Sequence, residues 1–295
     1  MRFPALAILP ALLSPVIPAQ TPQRGEAEAA VLENRGKPIV LPIHCTDDDM
    51  HWAGLSCTEQ DPCPVYLELA TAVPQGSQIF AAGNLHSESV TLYSVLLGSG
   101  DGGQTWRELH ERIRGAGLDH IQFAGSDGWI SGESLSPLPQ EPFFLITSDG
   151  GTAWRHVPMF NEPEPGSIQQ FFFTSKTEGH AIVDRGDGSG DERYALYESP
   201  NGGQSWRVRQ LSNRPLRLPR SPEPDKDWRL SADRATKSYR IERRQGQQWV
   251  TAASFAVNAG ACKPETVAPP ASDEPAPEAA PAAPEPAAPK RAPRK

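Results

Sequence analysis

Much that would signal a familiar activity is scarce in this 295-residue chain. No apolar run is long enough to cross a bilayer as a helix, which excludes a helical channel or transporter. Cations do not predominate: 28 Lys and Arg face 36 Asp and Glu, a formal net charge of -8, so there is no basic field to draw nucleic acid. Cysteines number only four, and none is spaced as Cys-x-x-Cys, which removes zinc ribbons, thioredoxin-like redox centres and attached haem. The seven histidines are scattered. Neither a Ser-His-Asp pattern, a phosphate-cradling glycine loop nor a nucleotide fingerprint is present. Catalysis has few residues to draw on. An apolar fraction of 38% is also low for a chain folded along its whole length.

The two ends account for part of that deficit. Residues 1–19, within "MRFPALAILPALLSPVIPAQ", place one arginine before a short apolar segment that ends in small residues, the layout of a secretory leader cut near Ala19. A periplasmic or secreted protein without a transmembrane segment is expected. In such an oxidising compartment Cys45, Cys57, Cys63 and Cys262 form two disulfides, in any of three connectivities. Residues 20–44 are polar and poorly patterned. Residues 263–295 are almost entirely Pro, Ala and Glu with a basic tip, Lys290, Arg291, Arg294 and Lys295, and read as an extended, solvated tail. The folded domain is therefore expected over 45–262.

Within that domain one stretch recurs. "SGDGGQTW" runs from Ser99 to Trp106, "TSDGGTAW" from Thr147 to Trp154 and "SPNGGQSW" from Ser199 to Trp206. With Trp249 behind and Trp52 ahead, the tryptophans are separated by 54, 48, 52 and 43 residues in chain order. This is the period of a four-stranded propeller blade, and the runs between turns, such as "QIFAAGN", "FFLITS" and "YALYES", are β-branched and aromatic, bounded by Gly, Asp, Asn and Pro. An all-β, propeller-like array of about four to five four-stranded blades is expected. "SYRIERRQGQQW" reads as a worn fourth copy, "CTDDDMHW" as a remnant at most, and "NRPLRLPRSPEPDKD", Asn213 to Asp227, as a surface connection. A closed array must hold its last unit to its first, so Cys262 is expected to pair with Cys45, Cys57 or Cys63.

In each turn the glycine pair, ending at Gly103, Gly151 or Gly203, suits backbone angles with φ above zero. Asp101, Asp149 or Asn201 can accept hydrogen bonds from the turn's own N–H groups. Asparagine at 201 argues against acid-base chemistry there, because an amide carries no titrating proton. Trp106, Trp154 and Trp206 then open the following strand and can pack beneath the turn.

The pattern Ser-x-Asp-x-Gly-x-Thr-Trp resembles the Asp-box, or bacterial neuraminidase repeat, of sialidase-like propellers. "GWISG" from Gly128 to Gly132 followed by "LITSDGGTAW" is similar to the repeat of the photosystem II stability and assembly factor family. The resemblance covers Tyr66 to about Trp206 and implies that the boxes are structural turns, and that the protein binds or assists the assembly of another envelope protein. It also raises a carbohydrate-binding module or a degenerate sialidase-like glycoside hydrolase as the alternative. The arginine set such an enzyme needs has no clear counterpart: Arg-Ile-Pro is absent, and Arg112 and Arg114 in "ERIRGAG" are the nearest string. Two acidic stretches could attract a cation. One is His44, Asp47, Asp48, Asp49 and His51. The other is "DRGDGSGDE", where Asp184, Asp187 and Asp191 resemble a short calcium loop. An acidic solvated loop and a mobile hairpin tip are the competing readings.

Overall fold

The computed structural model describes residues 30–135, 140–187, 192–218 and 225–264. The chain enters with a two-residue strand, β1 (Leu32–Glu33), and a short helix, α1 (Asp47–Trp52). A first antiparallel sheet follows: β2 (Cys63–Gln75), β3 (Gln78–His86), β4 (Thr91–Ser99) and β5 (Thr105–Glu108). The second holds β6 (Ala116–Ala124), β7 (Asp127–Ser134), β8 (Glu141–Thr147) and β9 (Arg155–Pro158). The third repeats the plan with β10 (Ser167–Phe173), β11 (Gly179–Asp184), β12 (Tyr194–Ser199) and β13 (Arg207–Ser212). A three-stranded fourth sheet comprises β14 (Trp228–Asp233), β15 (Ser238–Gln245) and β16 (Gln248–Ala256), and β17 (Asn258–Cys262) returns to pair with β2.

Burial along the strands explains their composition. β3 is buried at six of its nine positions because apolar clusters cover both its faces, and Phe80, Ala81, Ala82 and Leu85 are fully buried. β13, "RVRQLS", lies at an outer edge and is exposed almost throughout, so it carries charge instead. Three apolar clusters bind the sheets in series. Trp106 of the first sheet meets Phe255 of the fourth edge-on, with ring centroids 5.1 Å apart. Phe80 of the first sheet packs with Phe143 and Trp154 of the second. Trp129 of the second stacks on Phe173 of the third at 3.9 Å. Among the described residues no such cluster joins the third sheet to the fourth.

The junction of the first and fourth sheets is held by groups far apart in sequence. Cys262 pairs in register with Cys63 across β17 and β2, yet its disulfide is to Cys45, and Cys57 bonds Cys63. Residues before Cys45, set apart in the sequence reading, belong to this junction. Ile39 bridges to Phe255 and Leu41 is fully buried. The Asn34 side-chain amide donates to the carbonyls of Gly103, at 2.9 Å, and Ala252, at 2.8 Å, and so links both sheets. Polar composition hid this segment because its few apolar residues pair with distant partners, Leu32 with Trp106 and Ile39 with Phe255.

Two sequence expectations need correction. Trp52 is not a blade remnant: it ends α1, where Thr46 and Asp49 form a reciprocal N-terminal cap. The Gln245–Gln248 turn is a two-residue hairpin with Gly246 at φ 63°, not a fourth copy of the longer turn. Trp249 consequently packs beneath nothing resembling that turn, and the Arg229 guanidinium lies 4.3 Å over its ring.

Candidate functional site

The repeated turns join the third strand of each of the first three sheets to its fourth. In the first, Asp101 accepts from the backbone N–H of Gln104 at 3.0 Å, that of Thr105 at 2.9 Å and the Thr105 hydroxyl at 2.6 Å. Ser99 donates to the same carboxylate at 2.8 Å and accepts from Gly103 N–H at 2.9 Å. The second is the same construction: Thr147 donates to Asp149 at 2.7 Å, and Asp149 accepts from the N–H of Thr152 and Ala153 at 2.9 and 3.0 Å. In the third, Asn201 accepts from Ser205 N–H at 3.0 Å, while its amide donates to the Ser205 hydroxyl at 2.9 Å. The hydroxyl changes role from donor to acceptor, which lets an amide replace the carboxylate.

The electrostatics follow. The hydroxyl and N–H of Thr105 hold the Asp101 carboxyl down at about 2, well below the ordinary carboxylate value. Ala153 N–H and the Thr147 hydroxyl likewise lower Asp149. A group held ionised in this way is a poor general acid, which needs a raised value. Hollows of about 320 and 340 Å³ lie beside the first turn and between the second and third, but the turn carboxylates that line them, Asp101 and Asp149, are already engaged.

The second glycine of each pair also serves the joint between sheets. Gly103, Gly151 and Gly203 have φ of 95°, 90° and 85°. A Cβ on Gly151 would lie 2.5 Å from the Phe80 ring of the preceding sheet. Trp106 and Trp154 are buried, and their indole N–H groups donate to Gly103 and Gly151 carbonyls at 3.2 and 3.1 Å. Trp206 departs from this. It lies nearly flat on Phe144, with centroids 5.2 Å apart and planes 18° apart, and its Nε1 is shut from solvent with no acceptor.

Trp206 lines a groove of about 580 Å³ at the outer edge of the third sheet, beneath the connection leaving the second. Phe160 and Tyr197 share the wall, their centroids 5.2 Å apart, and Val208 and Leu211 on β13 stand 50% and 38% exposed. The rim is acidic. It carries Glu162, Glu164 and Glu192 against one cation, Arg185, whose guanidinium is 3.8 Å from Glu192. Sequence reading missed this groove, because which face of Trp206 is used depends on Phe144 of the neighbouring sheet.

Several other sequence candidates are engaged within the fold. Asp48 and Asp49 lie 2.9 and 2.7 Å from Arg114. Burial favours a neutral Asp49, but hydrogen bonds from Tyr93 and Thr46, with Arg114 nearby, outweigh it and lower its pKa. Arg112 grips Glu108 with two nitrogens, at 2.6 and 2.8 Å. The two arginines of "ERIRGAG" are thus ion-paired to different elements. In the acidic loop Asp184 takes two bonds from Arg193, at 2.8 and 2.9 Å, and Asp187 takes one at 2.5 Å, while Asp191 lies outside the described residues. Calcium there would have to displace Arg193. Among the described residues no group of three or more acidic, histidine or cysteine side chains could hold a metal ion. Two carboxyls not singled out from sequence, Asp119 and Glu133, are pushed above their ordinary values, chiefly by burial.

No protein-family model and no curated protein matches the chain. Its fold is similar to those of several solved structures. They include YCF48 bound to a D1 peptide, at 20% identity and TM-score 0.37, over 66% of this chain and 59% of that one. A polysaccharide lyase of family PL25, an ulvan lyase, overlays at 9% identity and TM-score 0.39, over 70% and 54% of the two chains. The α-L-arabinofuranosidase Arb93A of Fusarium graminearum overlays at 14% and 0.33, over 75% and 65%. The chain spans a little over half to two thirds of their lengths, and all three are β-propellers. None of these three overlays reaches a TM-score of 0.5. The four packed antiparallel sheets make this chain a β-propeller-like protein.

Proposed function

We propose that the chain is an exported, non-catalytic propeller of the Asp-box class that binds another envelope protein and serves as a scaffold for its assembly. The observation that carries this reading is a contrast. The side chains with the best credentials for chemistry, Asp101, Asp149, Arg112 and Arg114, are engaged in turns and ion pairs, whereas the groove at Trp206 presents aromatic and aliphatic surface with an acidic rim. Exposed apolar surface inside a concavity is characteristic of protein recognition. Export is supported by the leader-like first 19 residues and by the Cys45–Cys262 and Cys57–Cys63 disulfides.

The test is affinity capture from an envelope extract with the full chain and with a Val208→Glu, Leu211→Glu variant, paired with a glycoside hydrolysis screen. A defined partner that is retained by the parent and lost by a variant melting at the parental temperature supports the scaffold. Turnover of a glycan by the parent overturns it in favour of the carbohydrate-active reading.

A further inference from the structure

We infer that the groove at Trp206 is a docking site for the basic end of this chain's own C-terminal segment, Pro286 to Lys295. This rests on reading the groove as a recognition surface and names an occupant for it. Two features of the groove restrict what fits. Its wall is aromatic, from Phe160, Tyr197 and Trp206, and its lip is aliphatic, from Val208 and Leu211. Its rim is net negative. The complementary ligand is a cationic segment with apolar rings.

The last ten residues, "PAAPKRAPRK", have that chemistry: Pro286, Pro289 and Pro293 interleaved with Lys290, Arg291, Arg294 and Lys295. Proline fixes φ and favours the polyproline II form, whose carbonyls are unbonded and whose rings seat between aromatic side chains. The four cations meet Glu162, Glu164 and Glu192. The preceding stretch, from Glu265 to Glu285, carries acids and no cation, so the rim repels it and sets the register.

Reach does not prevent docking. The described chain ends at Pro264, two residues beyond Cys262, which sits on β17 beside β2 in the first sheet. The 22 residues from there to Pro286 span roughly 70 Å in an extended proline-rich form, against a domain about 45 Å across. The tail would then compete with any partner for the groove.

Zero-length carbodiimide coupling on the full chain tests this, because it joins a lysine amine only to a carboxyl in contact with it. Light and ¹⁵N-labelled protein are mixed equally before coupling. The expected product joins Lys290 or Lys295 to Glu162 or Glu164 within one molecule. Its yield should drop at high salt. It should also fall about tenfold in Val208→Glu, Leu211→Glu, the change given by losing roughly 1.4 kcal/mol of docking energy. Loss of the same product in Lys290→Ala, Arg291→Ala, now read at Lys295, confirms the basic end as the ligand. Couplings spread over exposed carboxyls, or a groove coupling unchanged in the Val208, Leu211 variant, overturn the inference. Mixed heavy and light products would assign the groove to a second copy's tail and overturn docking within one chain. Partner capture that persists without any tail coupling sinks this inference alone and leaves the scaffold reading standing.

Discussion

Gly102 and Gly103 are neighbours in the first turn and both lie in the left-handed region, with φ 76° and 95°, yet replacing them should have very different consequences. A Cβ on Gly102 would point into open space, whereas a Cβ on Gly103 would lie 2.7 Å from the Ala252 carbonyl oxygen of the fourth sheet. Alanine at either position incurs left-handed strain of about 1 to 2 kcal/mol. Only Gly103→Ala adds a backbone collision between sheets, where overpacking costs about 1 to 3 kcal/mol more. It also moves the Gly103 carbonyl, which accepts from Asn34 and from the Trp106 indole. The expected losses are therefore about 1 to 2 kcal/mol for Gly102→Ala and about 2 to 5 for Gly103→Ala. Urea unfolding followed by tryptophan fluorescence reads both. Equal losses, or a greater loss at Gly102, would show that the turn does not brace the first sheet against the fourth.

Two further outcomes follow from the same construction. Opening the Cys45–Cys262 disulfide, with 217 residues of separation, should cost about 5 kcal/mol in the chain-entropy model, against about 2 for Cys57–Cys63, with six. Cys262→Ser should accordingly lower the denaturation midpoint far more than Cys57→Ser, and the reverse order would remove the clasp. Glu133 has its folded pKa raised by burial, with the Ser167 hydroxyl opposing and Asp119 adding to the rise. Its contribution to stability is full below the ordinary glutamate value and is lost as pH rises through the folded one. Glu133→Gln should thus melt above the parent at neutral pH and converge with it near pH 4; a variant less stable at neutral pH would contradict the assigned cause.

What the sequence makes legible here is what is local. Asp101 finds all its partners between Ser99 and Thr105, so three copies of the turn disclose both the period and the local acceptor geometry of the carboxylate. Asparagine at 201 even anticipates the exchange of donor and acceptor seen at Ser205. The helix at Asp47 was also legible, since Thr46 followed three residues later by Asp49 is a capping signature, but acidity drew attention to metal binding instead. Long-range features were not. Cys63 lies opposite Cys262 yet bonds Cys57, Asn34 ties together two sheets, and Trp206 turns onto Phe144; each depends on residues that only the packed sheets bring together.

The central claim is that the carboxylates of the repeated turns are acceptors in a scaffold and not acids, and Asp101 tests it most directly. Because hydrogen bonds from Thr105 hold its folded pKa at about 2, its contribution is present above the ordinary aspartate value and is lost as pH falls through about 2. Parent, Asp101→Asn and Asp101→Ala should be melted at neutral pH and between pH 5 and 2, and screened on the same samples for sialoside and chitosaccharide hydrolysis. At neutral pH Asp101→Asn is predicted to melt with the parent, while Asp101→Ala loses about 1 to 2 kcal/mol of stability. Between pH 4 and 2 the asparagine variant should lose less than the parent, and none of the three should turn over substrate. Hydrolysis by the parent that disappears in Asp101→Asn at an unchanged melting temperature would contradict the account.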